Sequence, residues 1–150
     1  WKAGAEHGLA MCHLCQPESF PAIDQMCRQH PQTPVVIDHF GRLGIGGTIP
    51  KKDLDNLCQL AKHKNTHVKV SAFYALGKKQ APYSDLVPMI RRLLDAFGPE
   101  RLMWASDGPF QVVGGHHYGP SIDLIKNANF LSAADKAWLL QKTAAKVFFS

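Results

Sequence analysis

The sequence lacks most of the features that mark a specialised class. No apolar run in its 150 residues approaches the ~18 that a membrane-spanning helix needs. Its four cysteines, Cys12, Cys15, Cys27 and Cys58, are too few for a disulfide scaffold. Cys12 and Cys15 form a single C-x-x-C. A zinc ribbon would want a second such pair, and a redox motif would open a helix. On a strand the two thiols point to opposite faces and share no ligand, so reduced, structural cysteines are expected. No dinucleotide fingerprint follows a strand, because Gly44-Ile45-Gly46-Gly47 has the wrong spacing. Low-complexity tracts and internal repeats are missing too. The formal charge is +5, yet Lys51-Lys52, Lys78-Lys79 and Arg91-Arg92 are separate pairs rather than a stripe. Neither nucleic acid nor a membrane is therefore expected as a partner. The chain opens at Trp1 with no initiator methionine and no signal-peptide pattern. It reads as a piece of something longer, with the cytoplasm as the expected compartment.

What is present is an alternation of short apolar strands and amphipathic helices. Strands are read at 9–15, 33–40, 67–73 and 101–106. Helices are read at 19–29, at 51–64 with Leu54, Leu57 and Leu60 at helical spacing, and at 84–97, which Gly98 closes. The last helix starts at Ser132, whose spacing to Asp135 is that of a capping box. Strand–helix repeated four times implies a parallel α/β fold. An open doubly wound sheet is one form. A TIM (β/α)₈ barrel is the other, but it needs ~250 residues, so these parallel (β/α) units would be half a barrel.

In such folds chemistry collects at the carboxyl ends of the strands. His13 stands near the end of the first strand, Asp38-His39 at the end of the second, Lys69 and Ser71 on the third, and Asp107 at the end of the fourth. Singly, each has a plain explanation: a strand-end histidine is commonly a hydrogen-bonded core group, and Asp107 before Gly108-Pro109 is a natural turn former. Together, two imidazoles and a carboxylate at equivalent places suit metal ligation. Period-two alternation groups Met11 with His13, Val35 and Ile37 with His39, and Met103 and Ala105 with Asp107. If those faces line the interior, His13, His39 and Asp107 converge at one rim. Lys69 and Ser71 stand opposite the apolar Val68, Val70 and Ala72, and Asp38 faces away from His39.

"VVIDHFGR", "VKVSAF" and "ERLMWASDGPF", in this order, resemble the carboxyl-terminal half of the metal-dependent hydrolases of the amidohydrolase-2 group. That group is a branch of the TIM-barrel amidohydrolases which includes lactonases and a decarboxylase. The resemblance runs from about residue 8 onward. It implies that residues 1–150 are one (β/α)₄ portion holding strands five to eight, with strands one to four and their H-x-H motif outside it. By position, His13 and Asp107 match metal ligands. His39 and Asp107 match catalytic groups, while Arg42, Lys69, Ser71 and Tyr74 would face the substrate. The adjacent His116-His117 does not reproduce an H-x-H and suits a substrate loop.

A divalent metal, zinc first, is implied, with a metal-free site as the alternative, since some lactonases of the group use none. The activity implied is hydrolysis of a small lactone, ester or amide bond of an anionic, carboxylated substrate by activated water. Lys78, Lys79, Tyr83 and Tyr118 in the loops suit such a substrate. Non-oxidative decarboxylation on the same fold is the second reading. A non-catalytic half-barrel that assembles with another chain is the third, and homo-oligomerisation stays open. The isolated portion is expected to be inactive.

Overall fold

The computed structural model describes residues 1–149. All four strands are present, each shorter than its apolar run: β1 (Met11–His13), β2 (Val35–Ile37), β3 (Thr66–Val70) and β4 (Leu102–Trp104). They pair in parallel, in the order β1-β2-β3-β4. The runs overshoot the strands because apolar residues continue into tight turns: Phe40 and Phe73 are fully buried, yet Phe40 sits in a left-handed turn and Phe73 in a 3₁₀ turn.

The helices are α1 (Lys2–Glu6), α2 (Phe20–Gln29), α3 (Lys51–Gln59), α4 (Val87–Phe97), α5 (Tyr118–Lys126), α6 (Ala133–Ala137) and α7 (Thr143–Phe148). Ser132 caps α6 as its spacing predicts. Its side chain accepts from the Asp135 amide at 3.1 Å, and the Asp135 carboxylate accepts from the Ser132 amide at 2.9 Å. A π-helical turn, Trp138–Lys142, joins α6 to α7. Two helices escape the periodicity. The α1 segment has no apolar stripe, and α5 opens with Gly119 and Pro120, which read as a turn although proline is tolerated in a first helical turn. Among the described residues no helix is long and apolar enough to cross a membrane.

Strand register decides which residues share a face. His13 lies level with Ile37, Ile37 with Val68, and Val68 with Leu102. Val35, Ile37, Val68, Val70 and Leu102 pack into one core with Phe20, Ile23 and Cys27 of α2, Leu57 of α3, and Ile90, Leu93 and Phe97 of α4. Each buried side chain of this size contributes about 1.5–3 kcal/mol. Cys12, Val36 and His67 form the opposite face, and Lys69 lies level with Met103 on that face. This corrects the alternation argument: the face that carries Val35, Ile37 and His13 is the helix-covered one.

Within the described residues β1 and β4 each have one neighbour, and Leu9 and Leu14 beside β1 are 62% and 64% exposed. Unpaired strand edges template association. The isolated chain should therefore self-associate with rising concentration in sedimentation velocity. A concentration-independent monomer with a sharp cooperative melt would contradict this.

All four cysteines are free thiols. Burial, and secondarily the charge of Asp38, pushes the Cys15 thiol up to about 11. At pH 8 only about one Cys15 in a thousand is then thiolate. Iodoacetamide should modify it at least ~100-fold more slowly than an unperturbed thiol, and rapid labelling of Cys15 would refute its burial.

Candidate active site

Beyond Ile37 the backbone turns left-handed. His39, Phe40, Gly41 and Arg42 have φ of 52°, 55°, 60° and 57°. Such a conformation costs an L-residue roughly 1–2 kcal/mol, so the surroundings must hold it. Phe40 does so from inside, buried and stacked on Phe73 at 6.0 Å. Gly41 does so from outside, because a side chain there would run into the Phe20 ring. The turn lifts His39 off the helix-covered face and brings it over the ends of β3 and β4.

There it meets Ser71 and Asp107. His39 Nδ1 lies 2.7 Å from Ser71 Oγ, and Nε2 lies 3.5 Å from Asp107 Oδ1. Ser71 is fully buried, and a hydroxyl donating to Nδ1 leaves the Nε2–H directed at Asp107. Tyr74 donates to the other carboxylate oxygen, Asp107 Oδ2, at 2.9 Å. Burial first, then the bond to Asp107, pushes the Tyr74 phenol up to about 12, so it stays a donor at neutral pH. One carboxylate oxygen is thus fixed by tyrosine. The other, Oδ1, keeps only a long contact to imidazole and remains able to take a proton.

These groups border a cavity of about 210 Å³, with Arg42 beside them and Leu14, Ile45, Leu76 and Phe110 on its apolar side. Four residues lining it, His39, Arg42, Ala72 and Asp107, are non-glycine residues at positive φ. Backbone strain of this kind concentrates where a fold positions functional groups.

Of the residues singled out in the sequence, His39, Arg42, Tyr74 and Asp107 line this cavity, and Ser71 reaches it through His39. Lys69 does not: its ammonium lies 2.8 Å from Asp38 Oδ1, on the opposite face of the sheet from the main core. His13 is not brought to the rim either. Its ring packs on Trp1 at 5.3 Å, its Nε2 is buried without a hydrogen-bond partner, and Leu14 borders the cavity instead. No left-handed turn follows β1 to swing His13 across as β2 does for His39. Among the described residues no three His, Cys, Asp or Glu side chains converge to hold a metal ion. The donors present therefore do not fit a metal centre by themselves. Leu14, Ile45, Leu76 and Phe110 also line the cavity, and apolar residues of this kind carry no chemical signature in a sequence.

The family model described as amidohydrolase matches residues 1–149. An L-fucono-1,5-lactonase from Burkholderia ambifaria is 33% identical over 113 residues, covering 73% of this chain and 38% of that protein. A 4-sulfomuconolactone hydrolase from Rhizobium radiobacter is 32% identical over 78 residues, covering 52% of this chain and 26% of that protein. In three dimensions the chain resembles an amidohydrolase from Burkholderia multivorans solved with bound zinc. The TM-score is 0.84 at 24% identity, over 97% of this chain and 55% of that one. The matched stretches thus cover only 38% and 26% of these curated relatives, the chain covers 55% of the solved structure, and its four (β/α) units correspond to half of a TIM barrel.

Proposed function

We propose, from the premise that this chain belongs to the amidohydrolase family, that it carries the acid–base groups of a site that opens a small anionic lactone with water. The arrangement of Asp107 carries this reading: one oxygen is pinned by Tyr74, and the other faces His39 beside an arginine-bordered cavity. The names of both curated relatives, a lactonase and a muconolactone hydrolase, support it.

In this reading Asp107 Oδ1 accepts the proton of the attacking water. His39 Nε2–H, held in that tautomer by Ser71, bonds the developing oxyanion. As the ring C–O bond breaks, the proton passes from Asp107 to the departing alkoxide, leaving a hydroxy acid that releases its carboxyl proton to solvent. Arg42 binds a carboxylate of the substrate, and Leu14, Ile45, Leu76 and Phe110 limit bulk water around the reacting carbonyl. A divalent ion, as in the zinc-bound relative, would polarise that carbonyl. It belongs to this reading only with ligands from the other half of the barrel, because His39 and Asp107 face each other and His13 packs on Trp1.

The test is to assay the whole enzyme containing this chain against a carboxylated lactone and a neutral lactone of the same ring size. Arg42→Ala should raise KM at least ~10-fold for the former and leave the latter nearly unchanged. Release of carbon dioxide in place of an opened ring would replace hydrolysis with decarboxylation.

A further inference from the structure

Behind Tyr74, a second cavity of about 490 Å³ opens between the loop after β3 and the loop after β4. Lys79, Tyr83, His116 and His117 border it, together with the Gly114-Gly115 backbone, and among the described residues no carboxylate does. The two loops are tied together at this point. Fully buried Gln111 donates from Nε2 to Tyr83 Oη and to the His117 carbonyl, each at 3.2 Å. With its oxygen already accepting from Gln111, buried Tyr83 has its own hydroxyl hydrogen to give to His116 Nδ1, 3.1 Å away. That leaves Nε2 as the donor side of a neutral His116 ring. The same ring lies 5.8 Å from Tyr74 and 6.3 Å from Tyr83, so it stands between this cavity and the one that holds Asp107. His117 is the N-cap of α5, which brings the positive end of that helix to the rim.

The Lys79 ammonium, the N–H groups of two imidazoles, the Gly114-Gly115 backbone and the start of α5 all offer an anion a favourable contact. In TIM barrels the gap between the last two strand loops frequently seats a phosphate. We propose that this cleft is a second ligand site, separate from the Asp107 cavity, that takes a compact multivalent oxyanion. The proposal does not depend on which reaction Asp107 performs.

The experiment is to titrate the folded protein at constant ionic strength with inorganic phosphate, with malonate and with chloride, following the ring signals of His116 and His117. Phosphate or malonate should give saturable shifts. Lys79→Ala and His117→Ala should each weaken binding about tenfold, the scale of one charge-assisted hydrogen bond. Both side chains are exposed, so the fold should survive their removal, which circular dichroism checks. Lys78→Ala, one residue outside the cleft, should change the affinity less than about twofold. Saturation by phosphate alone assigns a phosphate-type ligand, and saturation by malonate alone a carboxylate. Four results would overturn the proposal: no saturable shift with either anion, chloride giving the same shifts, equal weakening by Lys78→Ala and Lys79→Ala, or loss of binding on Arg42→Ala.

Discussion

Asp107→Asn in the whole enzyme should lower turnover by at least ~10²–10⁴-fold, the usual worth of a positioned general base, and change stability by no more than about 1 kcal/mol. Asparagine is among the few non-glycine residues that enter the left-handed region readily, and Asp107 sits there at φ 53°. Its amide oxygen can still accept from Tyr74. What disappears is the basicity of Oδ1 and the negative charge opposite His39. Asp38→Asn is the informative contrast. Asp38 pairs with Lys69 at 2.8 Å, with the two side chains 15% and 24% exposed. Its neutralisation leaves a partly buried ammonium without its carboxylate, held only by an amide oxygen and the Phe148 ring 5.7 Å away, so it should cost about 1–3 kcal/mol of stability and less turnover than Asp107→Asn. Urea melts and steady-state kinetics on both variants separate the two roles. If Asp107→Asn stays within tenfold of the parent enzyme, Asp107 is a turn residue and nothing more.

Gly41→Ala is expected to be strongly damaging although it adds a single methyl. Its φ of 60° penalises any L-residue, and the new Cβ would fall on the Phe20 ring, itself buried in the core. The left-handed cost of about 1–2 kcal/mol and an overpacking cost of about 1–3 kcal/mol sum to about 2–5 kcal/mol. Activity should fall as well in whatever remains folded, because Gly41 lies between His39 and Arg42 in the turn that presents both. Gly46→Ala, five residues on in sequence, is the control. Its Cβ would meet nothing within 4 Å and its φ is ordinary, so it should stay within about 0.5 kcal/mol of the parent protein. Equal midpoints for the two variants in urea would refute the account of the turn.

The residues that gave the sequence its clearest signal were those repeated along regular elements. Leu93 and Phe97 mark α4 by their spacing, and the apolar runs around Val36, Val68 and Met103 mark strands whose parallel order follows from the helices between them. The candidate site was legible in part for the same reason: His39, Arg42, Ser71, Tyr74 and Asp107 lie where strands end. What period-two counting could not supply was the conformation after the strand. His39 shares a face with Ile37 only if the strand continues through it. In the fold the strand stops at Ile37, and four left-handed residues aim the imidazole elsewhere. His13, by the same counting, looked equivalent. The difference lies in a turn that follows one strand and not the other. Lys69 was grouped correctly with the face opposite Val68, but the residue opposing it, Asp38, is an ion-pair partner across strands that single-strand periodicity does not reveal.

The sheet order β1-β2-β3-β4 also bears on how the molecule is made. Each strand pairs with the one synthesised just before it, so every pairing closes a single strand–helix–strand unit and none spans the whole chain. A chain leaving the ribosome can lay β2 on β1, and β3 on β2, without waiting for a distant partner. His39, Ser71 and Tyr74 are then in place while Asp107 is still unmade, and the carboxylate joins them only when β4 docks. Hydrogen exchange on ribosome-bound chains that end before Leu102 should accordingly already protect the amides of β2 and β3. The last strand to arrive is the one that completes the candidate site.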